Sequence, residues 1–246
     1  MEPINIQYRI TFQDSSMEVV DLQFHPDTIS VLNTNDPQLP TWAELDYQQC
    51  PHCPLDIRQY PHCPVAVRLA GIVEKFDKVA SYTKVDTEVI SSDRSMKSST
   101  TAQKAVSSLF GLLMATSDCP HTAFLKPMAR FHLPFANHEE TIYRVSGMYL
   151  LAQFFLEREG HTPDHEFKGL QLLYENLHTV NVEMASRLQH GSTEDLSVNA
   201  IVVLDVLANV LPLAIEDELE RIEKLFAPYL TSFYQEHVIG KMEIQE

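Results

Sequence analysis

The sequence predicts an α+β protein, with a small antiparallel sheet in an N-terminal part and a helical bundle in the C-terminal part. Three observations carry that expectation. The first two dozen residues alternate apolar and polar side chains, the chain beyond Thr100 carries apolar residues at three-to-four spacing, and a segment rich in cysteine and proline lies between.

At the start of the chain Ile4, Ile6, Tyr8, Ile10 and Phe12 fall on one side of an extended backbone, and Asn5, Gln7, Arg9 and Thr11 on the other. Gln13-Asp14-Ser15-Ser16 reads as a turn, after which Val20, Leu22 and Phe24 resume the alternation, so an antiparallel hairpin is expected. A later strand is expected around Lys84 to Met96, where Val, Ile, Thr and Ser are frequent. Between these, Pro64 suits the first position of a helix, because the N–H it lacks would be unpaired there anyway. Val65, Leu69, Ile72, Phe76 and Val79 then trace one face.

Beyond Thr100, Ala102, Val106, Leu109 and Leu113 share one helical face. Asn137, with Glu140 three residues on, resembles a capping box, and Gly160 marks the other end of that helix. Leu170, Leu173, Leu177, Val180, Met184 and Leu188 define a long helix closed by His190-Gly191. Ser192 or Thr193 is expected to start an apolar helix that Pro212 ends, with one or two more helices from Glu216 towards Glu236. The expected division is 1–98 for the sheet-bearing part, including the cysteine segment at 50–63, and 99–246 for a bundle packed on it, the two being compatible with one continuous domain.

With 246 residues, 44% of them hydrophobic, the chain can bury a sizeable core. Its 34 acidic against 18 basic residues give a formal charge of −16. Such a surface repels phosphate backbones and anionic lipid, so neither nucleic acid nor a membrane surface is an expected partner, whereas a protein partner for the acidic surface stays open. Met1 to Asn5 lacks the basic start and apolar core of a signal peptide. The most apolar stretch, Val198 to Ile215, carries Asn199, Asp205 and Asn209, which fits a buried helix better than a membrane span. A cytoplasmic location is expected, where clustered thiols bind metal or do redox chemistry more often than they form disulfides.

All four cysteines precede proline: Cys50-Pro51, Cys53-Pro54, Cys63-Pro64 and Cys119-Pro120. Three lie within fourteen residues as C-x2-C-x9-C, and a short C-x2-C turn can aim two sulfurs at one metal. Gln49 to Leu55 returns ten residues later as Gln59 to Val65, which suggests two similar knuckles around one centre. Cys63 is placed at or near a helix N-cap, where free N–H groups and the helix dipole favour a thiolate, and Cys119-Pro120 is expected to repeat the device on a shorter helix before Pro127. Four sulfurs suit tetrahedral Zn(II) or a 4Fe–4S cluster, and the spacing selects neither. His52, His62 and His121 are alternates that can replace one thiolate. The other readings are a redox or disulfide arrangement and plain packing of free cysteines as small apolar residues.

A weaker candidate is an anion or ligand pocket built from Lys126, Arg130, His132 and Arg144, against the alternative that these side chains pair with carboxylates and fix the junction between the two parts. His161 and His165 flank a loop at Pro163, and Asp205 reads as a hydrogen-bonded core acid. The chain carries no P-loop, dinucleotide fingerprint, HExxH or GxSxG.

Three segments resemble a family of bacterial proteins of unknown function: Trp42 to Val67 with its CPHCP and HCPVAV elements, Cys119 to Phe135 (CPHTAFLKPMARFHLPF), and Tyr149 to Phe154 (YLLAQF). The resemblance covers most of the chain. It implies that Cys50, Cys53, Cys63, Cys119, His121, Arg130 and His132 stand at motif positions, and it implies no activity. The expected function is a non-catalytic protein with a cysteine-ligated metal centre, structural or sensing. The alternatives are an enzyme with a pocket near Cys119, Arg130 and His132, and an acidic protein-interaction module whose cysteines are structural.

Overall fold

In a computed structural model of the protein, residues 2–33, 39–191 and 195–231 are described. The expected hairpin is present: β1 (Ile4–Phe12) pairs antiparallel with β2 (Met17–Phe24), Ile6 opposite Leu22 and Tyr8 opposite Val20. Ser15 takes a left-handed conformation (φ 67°) in the turn between them. The stretch expected as one strand, Lys84 to Met96, divides into β3 (Lys84–Ser91) and the start of β4 (Ser95–Thr101). The chain reverses through Ser92, Asp93 and Arg94, with the Ser91 N–H donating to the Arg94 carbonyl. The β-forming composition runs through both strands and hides this short polar turn. The antiparallel sheet has the order β2-β1-β3-β4, so β1 and β3 are central.

One face of the sheet is apolar because the pleat alternates: Ile6, Tyr8, Ile10, Val20, Leu22, Phe24, Val85 and Val89 are buried. The other face carries Arg9, Glu88 and Lys97, linked by surface ion pairs. Helices α1 (Pro64–Phe76) and α2 (Ala102–Ala115) supply the facing layer, with Val65, Leu69, Val73, Phe76, Val106, Leu109, Phe110 and Leu113 buried in the same cluster.

The expected capping box is present on α4 (His138–Arg158), with the Asn137 side chain accepting from the Glu140 N–H and the Glu140 carboxylate accepting from the Asn137 N–H, both at 2.8 Å. Gly160 follows with φ 90°, the left-handed conformation that ends helices. Between α2 and α4 lie a 3-10 turn (Ala123–Leu125) and a short α3 (Lys126–Arg130).

Helix α5 spans Lys168–Gly191, and α6 spans Leu196–Glu223. Pro212 does not end α6, contrary to expectation, but lies inside it. Proline there forfeits one backbone hydrogen bond, yet Ala208, Leu211 and Ile215 on either side are all buried, and that burial keeps the helix running. A 3-10 turn and a single helical turn, Ala227–Leu230, follow. The expected start at Ser192 or Thr193 and the expected end near Glu236 lie outside the described residues.

Two buried clusters result. The larger joins the sheet, α1 and α2 to Val180, Met184 and Leu188 of α5 and Leu196, Ala200 and Ile201 of α6. The smaller gathers Ile142, Val145 and Tyr149 of α4 with Leu170, Tyr174 and Leu177 of α5 and Ala208, Leu211 and Ile215 of α6. Among the described residues, no single helix is long and apolar enough to cross a membrane.

Candidate metal centre

The cysteine segment is held by backbone hydrogen bonds on both sides. The Cys53 N–H donates to the Cys50 carbonyl at 3.0 Å, closing the C-x2-C turn. Residues 43–45 and 61–63 run antiparallel, with the Cys63 N–H donating to the Ala43 carbonyl (2.8 Å), Leu45 to Pro61 (2.9 Å), and Glu44 bridged to His62. Cys63 is the N-cap of α1 with Pro64 in the first turn, as the sequence predicts, and its carbonyl accepts from the Val67 N–H.

Cys119 arrives from the other direction, off the end of α2. There Ser117 and Thr122, both fully buried, donate their hydroxyls to the Met114 and Cys119 carbonyls, and the Cys119 N–H donates to Ser117 Oγ. Cys119 does not start a helix as expected. The Thr122 N–H closes a turn on the Cys119 carbonyl, and the 3-10 helix begins only at Ala123. The buried hydroxyls satisfy the backbone at this corner, so a helical N-terminus there would gain nothing.

All four cysteines are free thiols; Cys119 is buried and the other three are partly buried. They are near neighbours electrostatically. Burial pushes the Cys50 thiol up to about 12, and charge on Cys63, Cys119 and Cys53 pushes it in the same direction. Cys119 is pushed up to about 11, again first by burial, with charge on Cys63 and Cys53 adding to it. Burial thus works against a thiolate at these two positions, neither of which is a helix N-cap. Among the described residues, no group of three or more His, Cys, Asp and Glu side chains meets the geometry needed to hold a metal ion.

Two of the three alternates meet beside the cysteines. His52 and His121 stack with ring centroids 3.9 Å apart and planes 22° from parallel. His52 Nε2 lies 3.1 Å from the Asn176 carbonyl on α5, and His121 Nε2 lies 3.0 Å from the His52 carbonyl. Carbonyls only accept, so both Nε2 atoms carry a proton, and Nδ1 of a neutral ring is then a lone pair. His52 Nδ1 is buried with no partner. Burial, and then the neighbouring His121 ring, hold His52 below its ordinary range. The His62 backbone forms the bridge to Glu44.

Arg187 of α5 was not foreshadowed by any motif. It is 1% exposed, and its guanidinium donates to the carbonyls of Trp42 (2.9 Å), Glu44 (2.6 Å) and Leu45 (2.9 Å). Among the described residues no carboxylate pairs with it, and its charge acts on Cys50 in the opposite sense to the neighbouring thiols. The signal in the sequence is slight: an arginine beside Leu188 on the apolar face of a helix.

The residues of the expected anion pocket are placed as follows. Arg144 donates to the carbonyls of Met128 (3.2 Å) and Phe131 (2.9 Å), tying α4 to the end of α3. Arg130 is exposed and lies over the Phe131 ring, 5.3 Å from its centroid. His132 Nε2 lies 2.6 Å from the Tyr8 hydroxyl, which also meets Ser108 Oγ at 3.0 Å. Burial, with Arg144 adding to it, pushes His132 down to about 3, so the ring is neutral. Lys126 is partly buried at the first position of α3. Two open clefts, one of about 520 Å³ at the β1, β3 and β4 edge and one of about 420 Å³ beside it, are lined by other residues, including Lys84, Asp86 and Lys104 in the first. Asp205 accepts from Asn209 and lies 2.8 Å from His178 Nδ1, so it is hydrogen-bonded as the sequence suggests but partly exposed rather than a core acid.

A family profile described as a domain of unknown function (DUF6901) matches residues 6–227. The match runs from β1 to the turn after α6 and includes all four cysteines. No curated protein and no solved structure matches significantly. The chain belongs to that family of proteins with a domain of unknown function.

Proposed function

We propose that the protein carries a thiolate-ligated metal, Zn(II) in the first instance, held by Cys50, Cys53, Cys63 and Cys119, and that its role there is structural. The observation that supports this reading is the convergence of four free thiols from two distant parts of the chain, close enough for their charges to act on one another. The donor set suits zinc or a 4Fe–4S cluster in kind and in number. Cys50 and Cys119 stay protonated at neutral pH and make poor nucleophiles, which weighs against a thiol-based enzyme. A bound divalent ion supplies the charge that stabilises four thiolates and closes a cross-link between the segments.

The residues of the chain prepare that cross-link. The Cys50–Cys53 turn presents two sulfurs, Ala43 fixes the backbone of Cys63, and Ser117 fixes that of Cys119. His52 Nδ1, a buried lone pair without a partner, is the replacement donor in a three-cysteine variant of the site. Ligation would fasten the cysteine segment to the end of α2, so metal loss should loosen the first core.

The test is elemental analysis and absorption spectroscopy of untagged protein purified without oxygen, followed by chelation. About one zinc per chain and no colour is the expected result, and iron with broad absorption near ~400 nm would point to the cluster instead. Cys53→Ser should lose the metal and lower Tm by about 10 °C together. A wild-type protein that takes up neither metal sinks the proposal.

A further inference from the structure

We infer that the exposed face of α4 is where two copies of this chain pair, α4 antiparallel to α4 across a two-fold axis, with Leu150 of each copy seated over Gly147 of the other. This surface lies apart from the cysteine segment and does not depend on a bound metal. Helix α4 buries Ile142, Val145 and Tyr149 against α5 and α6. On its other side Tyr143, Gly147, Leu150 and Phe154 are exposed. They recur at intervals of four, three and four residues, the spacing that keeps side chains in one row and lets a second helix seat along it. Leu151 and Phe155 widen the row on one flank.

The row is complementary to itself. A glycine inside a helix weakens it, and nothing within the fold requires Gly147, since a Cβ there would meet no atom within 4 Å. It leaves a hollow open to the outside. Antiparallel pairing about the midpoint of the row sets Gly147 opposite the partner's Leu150 and Tyr143 opposite the partner's Phe154, each twice. Knob then meets hollow, and ring meets ring. Charge selects the same occupant. Two chains of formal charge −16 repel over most of their surfaces, but no charged residue interrupts α4 from Val145 to Leu156. Arg158, whose guanidinium already lies over the Phe154 ring at 5.8 Å, comes beside the partner's Glu140, whereas parallel pairing would set each acid against itself. Glu139 and Glu157 meet on the other flank, at an exposed rim where like charges are screened. An anionic bilayer, another cover for such a face, is repelled by the same net charge. Half-exposed rings of about 200 Å² each and the leucines beside them give about 500 Å² per copy, so pairing removes about 1,000 Å², the size of a weak, reversible interface.

The experiment is sedimentation equilibrium of the full chain from about 1 to 200 µM. Wild type should show a monomer–dimer equilibrium with Kd about 10 µM. Phe154→Gln should weaken it at least about tenfold, while Tm read on dilute, monomeric protein stays within about 1 °C of wild type. Gly147→Leu gives the sharper split. It fills the hollow and should abolish the dimer, yet it improves the helix, so Tm of the dilute protein should rise by about 2–4 °C. A variant that merely damaged the fold could not lose the dimer and gain stability together.

Wild type that sediments as a monomer up to about 200 µM overturns the inference. A dimer that both variants leave intact overturns it too, because its contact must then lie on another surface. A fall in the dilute Tm of Gly147→Leu would show that the glycine serves its own fold, and the hollow would no longer point to a partner.

Discussion

Around Leu109 and Phe110, strands, α1, α2, α5 and α6 all contribute side chains, and both central strands are covered on one face. Around Ile142 and Leu170, three helices share a thinner cluster. Its outer member, α4, has a second, exposed face: Tyr143, Leu150, Leu151, Phe154 and Phe155 are 40–56% exposed. No charged residue interrupts α4 from Val145 to Leu156. The first core is thus stabilised mainly by apolar area removed from water, whereas the second also relies on polar knots at its helix ends. The clearest knot is Asp164, whose carboxylate accepts from the Tyr149 hydroxyl and the Gly169 N–H (both 2.7 Å) and from the Glu166 N–H (2.9 Å).

The sharpest way to break the contrast is to cut one leucine from each side. Leu109→Ala should cost about 4 kcal/mol, since its site is fully buried and walled by several elements, and Leu177→Ala about 2 kcal/mol, because the smaller cluster can relax around the gap. Urea unfolding of both variants checks this, and equal losses would mean the clusters act as one core. Next in size is Gly169→Ala. A Cβ there would run into the Tyr149 hydroxyl, so the Asp164 knot must open at a cost of about 2 kcal/mol. Tyr149→Phe in the same background should add little if the knot is already lost, which a double-mutant cycle measures.

The junction between the regions should be pH-sensitive. Folded His132 is held near 3 while the unfolded ring titrates near its ordinary 6.5. Below about 6.5 the unfolded state therefore binds the extra proton, and stability present at neutral pH is lost as pH falls. The loss should be about 1 kcal/mol by pH 5.5, read from denaturant midpoints, and His132→Gln should lack it. An identical pH slope in the variant would show that other groups carry the acid sensitivity. The smallest effect is expected on the outer face of α4, where Phe154→Gln should change stability by no more than about 0.5 kcal/mol, because the ring is already half in water.

Much of this comparison can be read from the order of residues. Alternation places Ile6, Tyr8 and Ile10 on the inner face of β1, the Asn137–Glu140 pair starts α4, and Cys63-Pro64 starts α1. These are local matters, decided by side-chain period and by which backbone N–H groups lack partners, and a few neighbouring residues suffice to specify them. Where local signals competed with burial, burial decided. Pro212 reads as a stop but lies inside α6 because its neighbours are buried, and Cys119-Pro120, expected to start a helix, forms a turn held by buried hydroxyls instead.

The sequence by itself determined the fold class, the hairpin, most helix limits and the four cysteines as the place to look. Only the tertiary structure decided that Cys119 returns to Cys50, that His52 stacks on His121, that His132 faces Tyr8, and that Arg187 is buried against residues 42–45. Each of those pairings joins residues far apart in the chain. Their energies depend on desolvation and distance, and neither exists until the chain has folded around them.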